Sequence, residues 1–337
     1  MRNTPPLVSV VIPCYNAARW IAETIASVVA QDYKPLEIVV VDDESTDETV
    51  DVIKQQGSVD TILRVPHGGA GRARNAGTAG ARGEYIQYLD ADDQLALGKV
   101  RKQIERLEAT GRDVAYGNWQ RLIETPGGTQ RGAVVRRQVD EAGVDPAVAL
   151  LMDFWCPPAA YMFRRRIVDR VGGWNERLSI IQDARFVLDC ALHGAQFEYI
   201  DATMAFYRIH ATSLSRSNRA VFLRECLESA VEVEAELTAR GQIRGDHRLA
   251  LAHVFRNVAQ GSVAVDRALL SDACAELERV QPDHVDLIWN SIRLRLLVRW
   301  LGCRRALMVA ALWRRVRGRS DFRRRGERSG SGSTVPA

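Results

Sequence analysis

Two clusters of carboxylates carry most of the recognisable chemistry in this 337-residue chain. Asp90 and Asp92 flank a single alanine in LDADD, and Asp42 and Asp43 close the run EIVVVDD. Carboxylates presented on one turn are hard oxygen ligands of the kind Mg²⁺ or Mn²⁺ takes, and a diphosphate would complete the ion's shell. Acids at the end of a strand also make Asx turns or cap the helix that follows, and a lone DxD reads that way first. Between the clusters lies GGAGRARNAG. Arg72 and Arg74 follow glycines at a helix start, where backbone N–H groups and guanidinium both favour phosphate or base oxygens; a solvated helix face is the plainer alternative. The stretch is not a dinucleotide fingerprint, because Arg74 stands at the third glycine position after Gly69 and Gly71, and no Walker A motif occurs.

Elements that would position these groups alternate in the first half of the chain, short β-rich runs with helical patterns, which predicts βαβ units and a parallel sheet covered on both faces. Residues 7–12 (LVSVVI), 37–41 (EIVVV), 61–65 and 85–89 (YIQYL) read as strands. Ile21, Ile25, Val28 and Val29 share one helical face. Ser45-Thr46-Asp47-Glu48 matches a capping box that would open the next helix, and residues 68–81 read as a glycine-rich loop and helix. Both acidic clusters then sit at strand carboxyl ends, the side on which open α/β sheets collect ligands. A helix over 99–107 precedes two runs, 114–124 and 131–135, that flank Pro126-Gly127-Gly128 as a hairpin would, making the sheet mixed. Helices follow over 164–171 and 183–193, and 204–208 reads as a last strand. From about Ser217 only helical patterns remain, with Leu223, Leu227, Ala230, Val231 and Leu237 on one face.

Composition is that of a soluble globular protein of about two domains, at 46% hydrophobic and 26% charged residues. Six cysteines stand singly, with no CxxC pair or Cys/His ligand spacing, which fits a reducing cytoplasm better than a zinc site or a disulfide framework. The N-terminal MRNTPPLVSVVIP lacks the features of a signal peptide, and no apolar run reaches bilayer-spanning length. Net charge is +4, yet residues 293–328 hold 13 arginines against Asp321 and Glu327, so an acidic-leaning body carries a basic end. Interleaved with Trp300, Leu301, Leu307 and Trp313, those arginines suit either an anionic membrane surface or a packed helix with a solvated face. The last residues, GERSGSGSTVPA, have nothing with which to build a core.

In order and context, VSVVIPCYNAARWIAETIASVVAQ, EIVVVDDESTDET, GRARNAG and GEYIQYLDADD resemble the family 2 glycosyltransferases. The resemblance continues through GGWNERL, IQDARFVLDCALHGAQFEYID and FYRIHATSLS, about two thirds of the chain. It implies an α/β fold of the A-type glycosyltransferase kind, a nucleotide-binding sandwich with a mostly parallel sheet, and inverting transfer of a sugar from a nucleotide donor. Carried onto this sequence, it puts Tyr15 and Asp43 against the nucleobase and Pro13, Asn16, Arg72, Arg74 and Asn75 around the donor. Asp90 falls on the ribose, Asp92 and His210 on Mn²⁺ or Mg²⁺, and Asp183 is the base that deprotonates the acceptor. A carboxylate at Asp43 can accept the N3–H of uracil or thymine, and guanine's N1–H, whereas cytosine has no proton at N3. UDP or dTDP sugars are therefore the expected donors.

Two departures from the family pattern stand out. Gln182-Asp183 keeps only the second acid of the usual pair, and Glu44 stands where glycine commonly follows the paired aspartates, leaving the path of that loop open. The expected organisation is a catalytic domain over 1–215, a helical region with a basic amphipathic end over 216–320, and a disordered tail over 321–337. The expected partners are a nucleotide sugar, a glycan or lipid-linked acceptor and an anionic membrane surface, with no specific nucleic acid; the expected place is the cytoplasm, peripherally on the inner face of the membrane. A nucleotide-sugar-binding protein without turnover, and a sugar nucleotidyltransferase, are the rival readings. The second should show a basic glycine-rich triphosphate loop where this chain has PCYNAAR.

Overall fold

A computed structural model describes residues 4–125, 128–139, 144–152, 155–210, 218–289 and 291–328, from 314 onward as backbone. The chain divides into two compact units, Met1–Asn218 and Arg219–Ala337. The expected boundary at 215 falls outside the described residues, as do Pro126 and Gly127 of the hairpin turn.

In the first unit, strands β1 (Val8–Cys14), β2 (Leu36–Asp42), β3 (Thr61–Arg64) and β4 (Tyr85–Tyr88) alternate with helices α1 (Ile21–Val29), α2 (Thr49–Gln56) and α3 (Ala70–Gly80). β1 and most of β2 are buried on both faces, which is why they read as continuous Val/Ile runs. Ile21, Ile25 and Val28 of α1 are buried as expected, while Val29 stays exposed. Gly77 lets α3 press onto the sheet, since a Cβ there would stand 2.4 Å from Val11 Cγ1. Helix α2 opens without the expected capping box: Ser45 Oγ accepts the Asn16 N–H instead, and Asp47 Oδ1 accepts the Thr49 N–H. The hydroxyl of Ser45 is drawn to the neighbouring loop, and the N-cap position itself, Glu48, makes no side-chain cap.

The later elements are β5 (Gln94–Leu95), α4 (Lys99–Thr110), β6 (Val114–Thr125), β7 (Gly128–Val135), α5 (Pro146–Met152), β8 (Tyr161–Arg164), α6 (Arg165–Val171), α7 (Gln182–Leu192) and β9 (Phe197–Ile209). The nine strands run β3-β2-β1-β4-β8-β6-β9-β5, with β7 paired to β6. Pairs among β1–β4 are parallel, as is β6 with β9, whereas β8 lies antiparallel to both β4 and β6, so the sheet is mixed. β5, β8 and the full length of β9 lie outside the expected strands. β5 is two residues long, below what hydrophobic alternation can signal, and it forms by pairing Gln94 with Phe206.

The second unit is helical, with α8 (Arg219–Ala239), α9 (Gly245–Ser262), α10 (Arg267–Val280), α11 (His284–Ile288) and α12 (Ile292–Arg328). α12 is two helical pieces meeting at Gly302, whose φ of 75° only glycine takes readily. Residues 321–328, expected to open a disordered tail, are its last turns, in keeping with the high helix propensity of arginine. Residues 329–337 lie outside the described residues. Among the described residues no helix is long and apolar enough to cross a membrane.

Candidate active site

The carboxyl ends of β1, β2 and β4 form one rim of the site. At β2, buried Asp43 accepts the N–H groups of Gly68 and Gly69, each at 2.8 Å, and so fixes the loop that opens α3. His67 Nδ1 lies 3.0 Å from Asp43 Oδ2, and its ring stacks obliquely on half-exposed Tyr15 with centroids 4.4 Å apart. Tyr15 thus offers an open aromatic face; Asp43 Oδ2 is shared by the Gly69 N–H and His67, while Oδ1 has the Gly68 N–H as its one partner and a remaining lone pair. Asn16 links two loops, its Oδ1 accepting from Thr46 N at 2.8 Å. Pro13 is buried within β1 and contributes shape but no polar group. Glu44 adopts φ 64°, a left-handed conformation that glycine takes at less cost, and its carboxylate receives the His67 N–H at 3.1 Å.

The structure separates the two arginines of the glycine-rich loop. Arg72 is exposed, with its side chain folded back beside Gly68. Arg74 is 3% exposed, lies 4.3 Å above the Trp174 ring and donates from Nη2 to Asp90 Oδ1. Its Nε and Nη1 find no partner. Leaving buried charged donors unsatisfied is expensive, so this guanidinium is a cationic site waiting for acceptor oxygens. Asn75, expected at the donor, is engaged elsewhere: its Oδ1 accepts the Trp174 N–H at 2.7 Å, and its Nδ2 donates to Trp174 O and Glu176 Oε1. It holds the loop that carries Trp174, so its effect on Arg74 is indirect.

Asp92 and His210, 118 residues apart, meet with Oδ2 and Nε2 2.8 Å from one another. The antiparallel pairing of Gln94 with Phe206 sets this register, and buried Arg208 secures it, donating from Nε to Asp92 O and from its backbone N to Asp93 Oδ1. The Trp20 ring stacks on His210 at 4.3 Å. Adjacent ligands of an octahedral divalent ion stand about 3 Å apart when each lies about 2.1 Å from it, so this carboxylate and imidazole fit as two neighbouring ligands of Mn²⁺ or Mg²⁺. Among the described residues no third His, Cys, Asp or Glu joins them in a metal-sized group. Burial, with Asp92 and Asp90 close by, pushes Asp93 well above the usual carboxylate range, so that it favours the protonated form.

Asp183 is the second residue of α7, not its N-cap. Its Oδ2 accepts the Trp155 indole N–H at 2.7 Å, and its Oδ1 the Ala184 N–H at 2.8 Å. Burial raises its pKa above the ordinary 3.8, against the opposing pull of those hydrogen bonds and of Arg74. As a whole residue Asp183 is partly buried. Trp155 is held edge-to-face by Trp119 at 5.4 Å and Tyr207 at 5.3 Å, an aromatic wall beside the carboxylate.

Residues 9–171 match the profile of Glycosyl transferase family 2. That segment, just under half of the chain, belongs to that family. This family 2 chain is 40% identical over 109 residues to the putative teichuronic acid biosynthesis glycosyltransferase TuaG of Bacillus subtilis, a match spanning 31% of this chain and 43% of TuaG. Among solved structures it resembles residues 1–349 of S. aureus TarS in complex with UDP-GlcNAc, with a TM-score of 0.67, 20% identity, and coverage of 90% of this chain and 88% of TarS. It also resembles a mannosyltransferase from Pyrobaculum calidifontis in complex with GDP-Man and Mn²⁺, with a TM-score of 0.55, 18% identity, and coverage of 92% and 87%. The family 2 chain therefore has the A-type glycosyltransferase fold.

Sequence reasoning missed four residues that this family 2 site uses. His67 stands alone in its segment; Trp155 follows residues with no strong pattern; Arg208 sits two residues before the histidine that drew attention; and Trp174 reads as a turn aromatic in GGWN. Only Arg208 carried a usable signal, a charged residue inside a strand otherwise bound for the core.

Proposed function

We propose that the protein transfers a sugar, with inversion, from a nucleotide-sugar donor to a hydroxyl of a glycan or lipid-linked acceptor. The observation that carries this reading is Arg74, a buried guanidinium with two unsatisfied nitrogens, bonded to Asp90 and acting electrostatically on Asp183. A diphosphate supplies the oxygens those donors lack, and a metal-assisted leaving group explains an Asp92–His210 pair at ligand spacing. TuaG's description as a teichuronic acid biosynthesis glycosyltransferase and the nucleotide sugars in the complexes of TarS and the Pyrobaculum mannosyltransferase support the class.

On this reading Tyr15 offers its face to the base, and Asp43 uses a remaining lone pair for an imide N–H, which favours UDP or dTDP over CDP. Asp183 takes the acceptor hydroxyl's proton as that oxygen attacks the anomeric carbon; the bond to the diphosphate breaks with its electron pair, and the nucleoside diphosphate departs. Arg74 stabilises the charge that grows on the departing oxygens. A divalent ion held by Asp92 and His210 would supply further charge neutralisation there. Trp155 holds Asp183 in place.

The test is a panel of UDP, dTDP, GDP and CDP sugars with Mn²⁺ or Mg²⁺, scored by thermal shift and by nucleoside diphosphate release, with Asp183→Asn alongside. Asp183→Asn should bind donor normally and lose transfer by about 10²-fold or more. Tight CDP binding would remove Asp43 from base reading, and near-normal transfer by Asp183→Asn would place the base elsewhere. Donor binding without turnover in the wild type, across acceptors, would favour the non-catalytic binding protein.

A further inference from the structure

The kinked helix α12 has two unlike faces in its described part. Val298, Cys303, Ala306 and Leu307 are buried, packed within the helical unit, so Leu307 is not among the membrane-facing residues expected from the sequence. Outward stand Ile292, Leu296 and Trp300 at four-residue spacing, 73%, 52% and 84% exposed, and after the kink Met308 and Leu312 at the same spacing, with Leu301 and Trp313 beside them. On a helix that spacing makes a stripe, one on each side of the Gly302 kink. Arginines border both halves: Arg293 and Arg299 lie either side of the first, Arg304 and Arg305 either side of the second. Among the described residues Arg293, Arg304 and Arg305 have no ion-pair partner, whereas Arg299 pairs with Asp286 at 2.7 Å. Leu301, Arg304, Arg305 and Met308 also line an open cavity of about 450 Å³ at the Gly302 kink, with Glu278 on its wall.

We propose that the outward stripes of the two pieces of α12 dock the protein onto an anionic phospholipid surface, the apolar side chains entering the interface while the flanking arginines meet headgroup phosphates. Large exposed apolar side chains concentrated in stripes mark an interaction surface, whereas scattered ones are ordinary. Aromatic side chains suit the water–lipid boundary, and arginine on either side of an apolar stripe is the charge pattern of a helix lying in that plane. Charge complementarity selects this occupant over a second copy of the chain. A symmetric pairing of the two faces would set unpaired arginines against themselves. Nucleic acid would satisfy the arginines but leave Trp300, Ile292 and Leu312 in water. Beyond Trp313 the sequence adds eight more arginines up to Arg328, along the continuing helix. The inference does not depend on the donor chemistry, and its test reads binding alone.

The experiment is flotation of the full chain with phosphatidylcholine vesicles, with and without a minority of phosphatidylglycerol. Binding should require the anionic lipid. It should also weaken steeply between ~0.1 M and ~1 M salt, as the screening length falls from about 10 Å to about 3 Å. Arg304→Gln/Arg305→Gln should lower partitioning about twenty-five-fold, each charge near such a surface contributing about a factor of five. Trp300→Ser/Leu312→Ser should lower it at least as much while leaving the melting temperature unchanged, because both side chains stand in solvent. Equal binding to neutral vesicles, indifference to salt, or unchanged binding by the Trp300→Ser/Leu312→Ser variant would overturn the proposal. A dimer in light scattering that this variant abolishes, without vesicle binding by the wild type, would assign the face to a second copy. Random-sequence DNA binding lost with the arginines but not with Trp300 and Leu312, again without vesicle binding, would assign it to nucleic acid.

Discussion

Replacing Trp155 with phenylalanine deletes one hydrogen bond and leaves an aromatic ring against Trp119 and Tyr207. The lost bond runs from the indole N–H to Asp183 Oδ2 at 2.7 Å, and it favours the charged carboxylate. Its removal must therefore raise the Asp183 pKa further above the ordinary value. A hydrogen bond to a charged group is worth roughly 1.5–3 kcal/mol. The lower end of that range amounts to about tenfold in proton affinity at roughly 1.4 kcal/mol per factor of ten. A base works only when deprotonated, so the acid limb of the pH–rate profile should move about one pH unit upward, while the plateau above it falls only a few-fold. The assay is nucleoside diphosphate release across pH for wild type and Trp155→Phe, with a donor found by the nucleotide-sugar panel. The wild-type indole ¹H–¹⁵N resonance that vanishes in the variant should titrate with the same midpoint as the limb. An unmoved limb, a limb displaced to lower pH, or an indole signal indifferent to pH would refute the coupling of Trp155 to Asp183.

Two further outcomes follow from the same geometry. Asp92→Ala should lose most divalent-dependent affinity for the nucleoside diphosphate in calorimetry, because metal and diphosphate bind as one unit, and undiminished metal-dependent binding would sink that assignment. Lys99, fully buried, places Nζ within hydrogen-bond reach of the Gln87 and Gln103 side-chain oxygens and Tyr161 O, and burial holds its pKa well below the ordinary 10.5. Between that depressed value and 10.5 the unfolded chain binds the extra proton, so Lys99 makes wild-type stability climb as pH rises through this window. Lys99→Met should remove that climb and lower stability by about 2–4 kcal/mol through the stranded acceptor oxygens. Urea midpoints compared between pH 6 and pH 10 check it, and a wild-type-to-variant difference that stays constant over that ~4-unit span would contradict the depressed value.

What the sequence determined by itself is local. The Val/Ile runs of β1 and β2 announce strands buried on both faces, and EIVVVDD and YIQYLDADD announce acidic residues at their ends, because burial period and strand termination are written within a few neighbouring residues. Asp43, Arg74, Asp90, Asp92 and Asp183 could be named on that basis with the family resemblance. What each does was decided in three dimensions. Whether Arg72 or Arg74 goes inside depends on how α3 lies on the sheet, which the lack of a side chain at Gly77 permits. Asn75 became a clamp for the Trp174 loop because a residue 99 positions away offers matching backbone groups. The meeting of Asp92 with His210 needs the two-residue strand β5 to find Phe206 in register, a pairing with no local sequence signal. Trp155 reaches Asp183 only because Trp119 and Tyr207, from two different strands, hold its ring. α12 shows the same division: the sequence dictates an arginine-rich helix with apolar residues, but packing alone chooses which of them go inside, burying Leu307 and leaving Trp300 in water. Periodicity is a property of neighbours along the chain, while a site is made by contacts across it, and those are fixed only when the core excludes water and each buried polar group must find a partner.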